Sequence, residues 1–186
     1  MLKLIVMKKL LLLVVIFLPF IVQAQNTFGY KVEDRYLYYS DVVKVDTSFT
    51  VSDLYKDAKV FFVKLSLPNI KFNTDDDKGG LIIASVEEQG AYKSQTGVGD
   101  QPMTLKYTLK LELKKGRYRY TFENIVVNFE ENKQDTQHTL YDLDKDKSGG
   151  LLGLGRSKRV LKALDGLIEE KIHQLTSTMK KKSDDF

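Results

Sequence analysis

The stretch MTLKYTLKLELKKGRYRYTFENIVVNF, residues 103–129, reads as two strands and the turn between them, and it decides the fold. Leu105, Tyr107, Leu109, Leu111 and Leu113 take the odd positions, and Thr104, Lys106, Thr108, Lys110, Glu112 and Lys114 take the even ones. Successive side chains leave a pleated backbone on opposite sides, so this period of two writes a strand with one dry and one wet face. After Lys115-Gly116 the beat resumes as Tyr118, Tyr120 and Phe122 against Arg117, Arg119, Thr121 and Glu123. A two-residue hairpin loop at Lys115-Gly116 pairs Leu113 with Tyr118, Leu111 with Tyr120 and Leu109 with Phe122 on one face. It also sets Glu112 opposite Arg119 on the other face, a favourable cross-strand pair. A slip of one residue would turn every apolar side chain to water, so the register is tightly specified. Each Leu, Tyr or Phe buried on the dry face contributes roughly 1.5–3 kcal/mol. At Asn124 the phase changes, and Ile125, Val127 and Phe129 carry the apolar beat, which predicts a bulge.

The dry face needs a cover, and two helical stretches supply it. Val51, Leu54, Tyr55, Ala58, Phe61, Phe62 and Leu65 form one stripe at helical spacing, with Thr50 able to cap its start, Asp53 in its first turn and Pro68 to stop it. A second helix is expected from about Ser157 to Met179, with Leu161, Leu164, Ile168, Ile172, Leu175 and Met179 as its stripe. Short strands are expected at Asp41–Asp46, Ile70–Phe72 and Leu81–Val86, the last two joined by a turn over Asn73–Gly80. The polar, glycine-bearing stretch Gln89–Pro102 reads as a flexible loop, and Glu130–Gly155 reads as the least structured part. Residues 25–40 read as an aromatic, extended lead-in, residues 41–180 as a single α+β domain, and residues 181–186 as a disordered tail.

Residues 1–24 read as a signal peptide. Leu10 to Ile21 is almost unbroken apolar sequence behind Lys8 and Lys9, and Val22-Gln23-Ala24 places small residues where a signal peptidase reads. Cleavage between Ala24 and Gln25 is expected, with translation able to begin at Met1 or Met7. The rival reading is a membrane anchor, but the run falls short of the ~20 residues of a spanning helix. Uncleaved, this leader is the expected means of membrane contact. The full chain carries 29 Lys+Arg against 25 Asp+Glu; without Lys3, Lys8 and Lys9 of the leader the balance is 26 against 25, a net charge of +1. A near-neutral exported chain is a poor match to nucleic acid, whose binding rests on neutralising phosphates. There is no cysteine, which excludes disulfides, thiol chemistry and Cys-based metal sites. An exported domain of this size is then held together by its core.

The order strand, helix, four strands, helix, with both helices free to cover one face of an antiparallel sheet, resembles the TATA-binding-protein-like fold. More specifically, the chain resembles a family of exported domains of unknown function with that fold, common in Bacteroidetes. The residues that carry the likeness are Tyr39-Ser40-Asp41-Val42-Val43-Lys44-Val45-Asp46, Leu54-Tyr55-Lys56-Asp57-Ala58-Lys59, Lys78-Gly79-Gly80-Leu81-Ile82 and Lys115-Gly116-Arg117-Tyr118-Arg119-Tyr120-Thr121-Phe122. They span roughly residues 40 to 128, and none of them is catalytic. The resemblance implies a fold and leaves the activity open.

Candidate chemistry is sparse. Asp144, Asp146 and Ser148, followed by Gly149 and Leu151, match the first half of a calcium loop, but Gly155 stands where the bidentate Glu belongs. Gly150, Gly155, Arg156 and Ser157 imitate a phosphate loop that lacks its Lys and its preceding strand. His138 and His173 have no partner at ligand or triad spacing. The doublets Glu87-Glu88, Glu130-Glu131 and Glu169-Glu170 point apart on strands or helices. No catalytic, cofactor or metal residue is therefore assigned. The wet face carries Lys106, Lys110, Lys114, Arg117 and Arg119 against Glu112 and Glu123, either an ordinary solvated face or a shallow basic surface for an anionic envelope component or a protein partner. The expected role is a non-catalytic binding or envelope-associated module, periplasmic or extracellular. The alternative is a hydrolase whose carboxylates are assembled by the fold.

Overall fold

The computed structural model describes residues 29–33, 36–67, 69–93, 99–131, 134–145 and 154–179. Its elements in chain order are β1 (Lys31–Glu33), β2 (Tyr36–Lys44), α1 (Val51–Leu65), β3 (Asn69–Asp76), β4 (Leu81–Lys93), β5 (Asp100–Lys114), β6 (Arg117–Glu131), β7 (Gln134–Thr139), α2 (Leu140–Lys145) and α3 (Leu154–Thr178). The strands form one antiparallel sheet in the order β1-β2-β6-β5-β4-β3. β7 joins at β6, and it does so beyond the segment taken by β2: Tyr39–Lys44 pairs with residues 117–122, and β7 with residues 126–131.

The β5–β6 hairpin forms in the register that its pattern demands. Leu113 faces Tyr118, Leu111 faces Tyr120, Leu109 faces Phe122, and Glu112 faces Arg119. The bulge is where the phase change puts it: Thr108 pairs with Glu123 and Lys106 with Val126, so Tyr107 stands opposite both Asn124 and Ile125. Asn124 takes the extra residue's turn at φ 53°.

α1 runs over the expected residues. Thr50 and Asp53 close a capping box, with the Asp53 amide donating to Thr50 Oγ1 at 3.2 Å and the Thr50 amide to Asp53 Oδ2 at 2.9 Å. The helix ends at Ser66, whose left-handed backbone (φ 49°) lets its amide reach back to Val63 O at 3.1 Å. Leu54, Ala58, Phe61, Phe62 and Leu65 are buried. From α3, Val160, Leu161, Leu164, Ile168 and Leu175 are buried with Met179. Both stripes join the odd residues of β5 in one core. The helices thus share the dry face, and among the described residues the opposite face carries none.

Four expectations need correction. The turn expected over Asn73–Gly80 is confined to residues 77–80, because β3 stays paired with β4 as far as Asp76. Gln89–Pro102 is not a loop throughout: β4 continues to Lys93 and β5 begins at Asp100, with Gly90 paired to Met103. The glycine that reads as a breaker is there for close approach, since a Cβ on Gly90 would lie 2.9 Å from Leu167 Cδ1 of α3. Glu130–Gly155 contributes the end of β6, all of β7, α2 and the first two residues of α3. β7 is polar and pairs through its backbone, which needs no apolar pattern. α2 is capped as α1 is, Thr139 Oγ1 donating to Asp142 Oδ2 at 2.6 Å and the Asp142 amide to Thr139 Oγ1 at 3.2 Å. Finally, the lead-in over residues 25–40 contains β1 and the first part of β2, in which Leu37 and Tyr39 are buried. The expected order β-α-β-β-β-β-α is present as β2-α1-β3-β4-β5-β6-α3, extended by β1, β7 and α2. The expected signal peptide and tail lie outside the described residues.

Candidate functional site

The helix-free face is built by the even positions of β5 and their cross-strand partners. Three of its ion pairs are internal: Lys106 Nζ to Glu87 Oε2 at 3.0 Å, Lys110 Nζ to Glu112 Oε1 at 3.4 Å, and Arg119 Nη1 to Glu112 Oε2 at 3.7 Å. Each is substantially exposed, so its contribution to stability is small. Glu112 serves both Lys110 and Arg119, while Lys44 pairs across with Arg117 and Lys114 faces Arg117 in turn. The hairpin end of the face is consequently basic. The expected basic residues do gather on one surface, with Lys106 pulled out of the cluster by Glu87.

Three depressions lie on this face. One, of about 180 Å³, sits at the hairpin end between Glu112, Lys114, Arg117 and Arg119. A second, of about 700 Å³, spans β3, β4 and β5, with Lys71, Ser85, Glu87, Lys106 and Thr108 on its walls. The third, of about 540 Å³, is bounded by Glu33, Tyr36, Tyr38, Thr121 and Glu123. Asn124 borders both larger depressions. Tyr36 is 71% exposed, and the Tyr38 hydroxyl donates to Glu33 Oε2 at 2.9 Å. Sequence reasoning missed this corner. The signal was present as Tyr36, Tyr38 and Ser40 alternating with Leu37 and Tyr39, period two inside a run of aromatics.

The Glu87-Glu88 doublet is split by the pleat as expected. Glu87 lies on the open face with Lys106, whereas Glu88 is buried on the dry face, 3.2 Å from Lys171 Nζ of α3. Burial pushes the Glu88 carboxyl above its usual range, and Lys171 pulls against that shift. The Tyr107 hydroxyl stands close enough to Glu88 to favour its charged form, although among the described residues neither it nor Glu88 Oε1 makes a well-formed hydrogen bond. Burial also raises Asp57, on α1. Neither raised acid borders any of these three depressions.

Asp165 and Glu169 lie one turn apart on α3. Asp165 Oδ1 accepts from the Tyr39 hydroxyl at 3.0 Å and from the Gly29 amide at 2.9 Å. Tyr30 stacks edge-on against Tyr39 with ring centroids 6.0 Å apart. This arrangement ties the chain before β1 to α3, a structural task. Glu169, Glu170 and His173 are exposed on α3. Gly155, Arg156 and Ser157 lie inside the first turns of α3, and Arg156 stands over the Phe129 ring at 4.4 Å; Gly150, which would open the phosphate loop, lies outside the described residues. The backbone of His138 pairs with Val127; its side chain, and those of Glu130, Glu131, Asp144, Asp146 and Ser148, lie outside the described residues. Among the described residues no group of His, Asp or Glu is arranged to hold a metal ion, and no helix is long and apolar enough to cross a membrane.

Residues 39–128 match the family model described as a domain of unknown function (DUF4468) with a TBP-like fold. Among solved structures, a DUF4468 family protein from Bacteroides ovatus superposes with a TM-score of 0.64 at 11% identity, covering 85% of this chain and 94% of that one. A TBP-like protein from Parabacteroides distasonis superposes with a TM-score of 0.67 at 14% identity, covering 81% of this chain and 97% of the other. At such identities the likeness is one of fold. No curated protein matches the sequence.

Proposed function

Residues 39–128 belong to the DUF4468 family of domains of unknown function with a TBP-like fold, and from that premise we propose that the protein is a non-catalytic binding or envelope-associated module, exported through its N-terminal leader. The observation that carries this reading is the asymmetry of the sheet. One face is closed by α1 and α3, and the other is open, basic at the hairpin end and hollowed by three shallow depressions. Shallow, polar and solvent-open surfaces suit recognition better than chemistry, which needs water excluded from the reacting groups. Among the described residues, the acids with raised carboxyls, Glu88 and Asp57, do not line the three depressions, which favours recognition over hydrolysis there. The +1 charge remaining without the leader argues against nucleic acid.

The test is native mass spectrometry of the protein purified from its own cell envelope, beside a Lys110→Glu, Arg119→Glu variant. A reproducible added mass that the variant loses, while its thermal unfolding stays cooperative, supports the reading. An added mass retained in full by the variant removes the basic end of the face, and a bare chain in both removes the stable binding module.

A further inference from the structure

We propose that the two larger depressions form one trough that takes a neutral, polyhydroxylated ligand, a short oligosaccharide lying across the strands. The inference rests on the reading of the open face as the binding surface and names its ligand class. The depressions meet at Asn124, which borders both. Together they cross β3, β4, β5, β6 and β2, which at the usual strand spacing is roughly 20 Å, long enough for several sugar rings.

The lining points to hydroxyl recognition. Ser85, Thr108, Thr121 and the Asn124 amide supply hydrogen-bonding groups that carry no charge. Of the charges that border the trough, Glu87 is paired with Lys106 at 3.0 Å and Glu33 accepts from the Tyr38 hydroxyl at 2.9 Å, while Lys71 in one depression and Glu123 in the other are opposite in sign. A strongly anionic ligand would be drawn instead to the hairpin end, where Lys114, Arg117 and Arg119 stand against Glu112. At the opposite end of the trough the Tyr36 ring is 71% exposed, a flat apolar plate beside polar groups and suited to stacking on the C–H face of a sugar ring.

Asn124 supplies a separate argument. Its φ of 53° lies in the left-handed region that Asn adopts more readily than other side-chain-bearing residues, and the bulge it forms places its amide on the trough, with Nδ2 3.5 Å from Thr108 Oγ1. A glycine would satisfy that backbone without strain.

The experiment is two-dimensional ¹H–¹⁵N NMR titration of the labelled protein with maltotetraose, cellotetraose and chitotetraose, each at millimolar concentration. At least one probe is expected to shift the amides of Thr108, Thr121 and Asn124 and leave those of Lys114 and Arg117 in place. Tyr36→Ala and Asn124→Gly should each weaken that probe by about tenfold, or ~1.4 kcal/mol. Asn124→Gly keeps the left-handed backbone, and Tyr36 is exposed, so both variants should retain the wild-type spectrum elsewhere. No trough shift with any probe overturns the proposal, as does undiminished affinity in both variants. A protein mass found on the native chain, together with silent sugar titrations, would refute the oligosaccharide and leave the binding module standing.

Discussion

Removing Lys171 tests how α3 is fixed to the sheet. The Glu88 and Lys171 side chains retain 4% and 12% of their exposure, and their charged ends are 3.2 Å apart. Breaking a pair this buried by deleting one partner costs about 3–5 kcal/mol, since the survivor is left charged in a place that water cannot reach. Lys171→Met keeps most of the aliphatic stem, so its cost at neutral pH should be about 3 kcal/mol, at the lower end of that range. For a domain of this size that lowers the melting temperature by roughly 6–12 °C. Adding Glu88→Gln removes the stranded charge and lets an amide donate to the Tyr107 hydroxyl, so the double variant should recover to within about 1 kcal/mol of wild type.

The pH dependence has a definite sign. Burial raises the folded-state pKa of Glu88, Glu170 raises it further, and Lys171 and Tyr107 oppose the rise. A raised carboxyl binds its proton more tightly in the folded than in the unfolded chain. Stability is therefore lost as pH climbs from the ordinary carboxylate range to the folded pKa. Without Lys171 that window widens, so the deficit of Lys171→Met should be small near pH 4, roughly the unfolded value, and largest near neutrality. Thermal unfolding followed by circular dichroism on the four proteins of the cycle, at both pH values, reads this directly. Equal losses in the single and double variants, or a Lys171→Met deficit that ignores pH, would refute the reasoning.

Two further predictions concern the α1 side of the sheet. Gly80 holds φ +66°, and a Cβ there would lie 2.6 Å from Leu113 O and 2.8 Å from Val51 Cγ1, so Gly80→Ala should cost about 3 kcal/mol from backbone strain and overpacking; an unchanged urea midpoint would contradict it. The Tyr55 hydroxyl donates to Asp75 Oδ1 at 2.5 Å, which pushes the phenol up to about 12. Ultraviolet titration should find that one raised tyrosine moves down toward the ordinary phenol range once Asp75→Asn is introduced, and no such change would mean the bond is absent in solution.

What the amino-acid order settles by itself is whatever repeats with a short period. The β5–β6 register, the bulge at Asn124, the span and cap of α1 and the stripe of α3 are all local patterns, and side-chain direction along a strand or helix follows from backbone geometry alone. The splitting of Glu87 from Glu88 was legible for the same reason. Elements held by backbone pairing or by contact with distant residues were not. β7 is polar and needs only the free edge of β6. β4 runs on through Gly90 because Leu167, far along the chain, fills the space its side chain would need. The candidate trough belongs to this second class. Tyr36, Ser85, Thr108 and Asn124 come from four different strands, and no spacing in the chain relates them. The order of strands in the sheet brings them together, and that order is set by which edges the buried apolar faces leave free to pair.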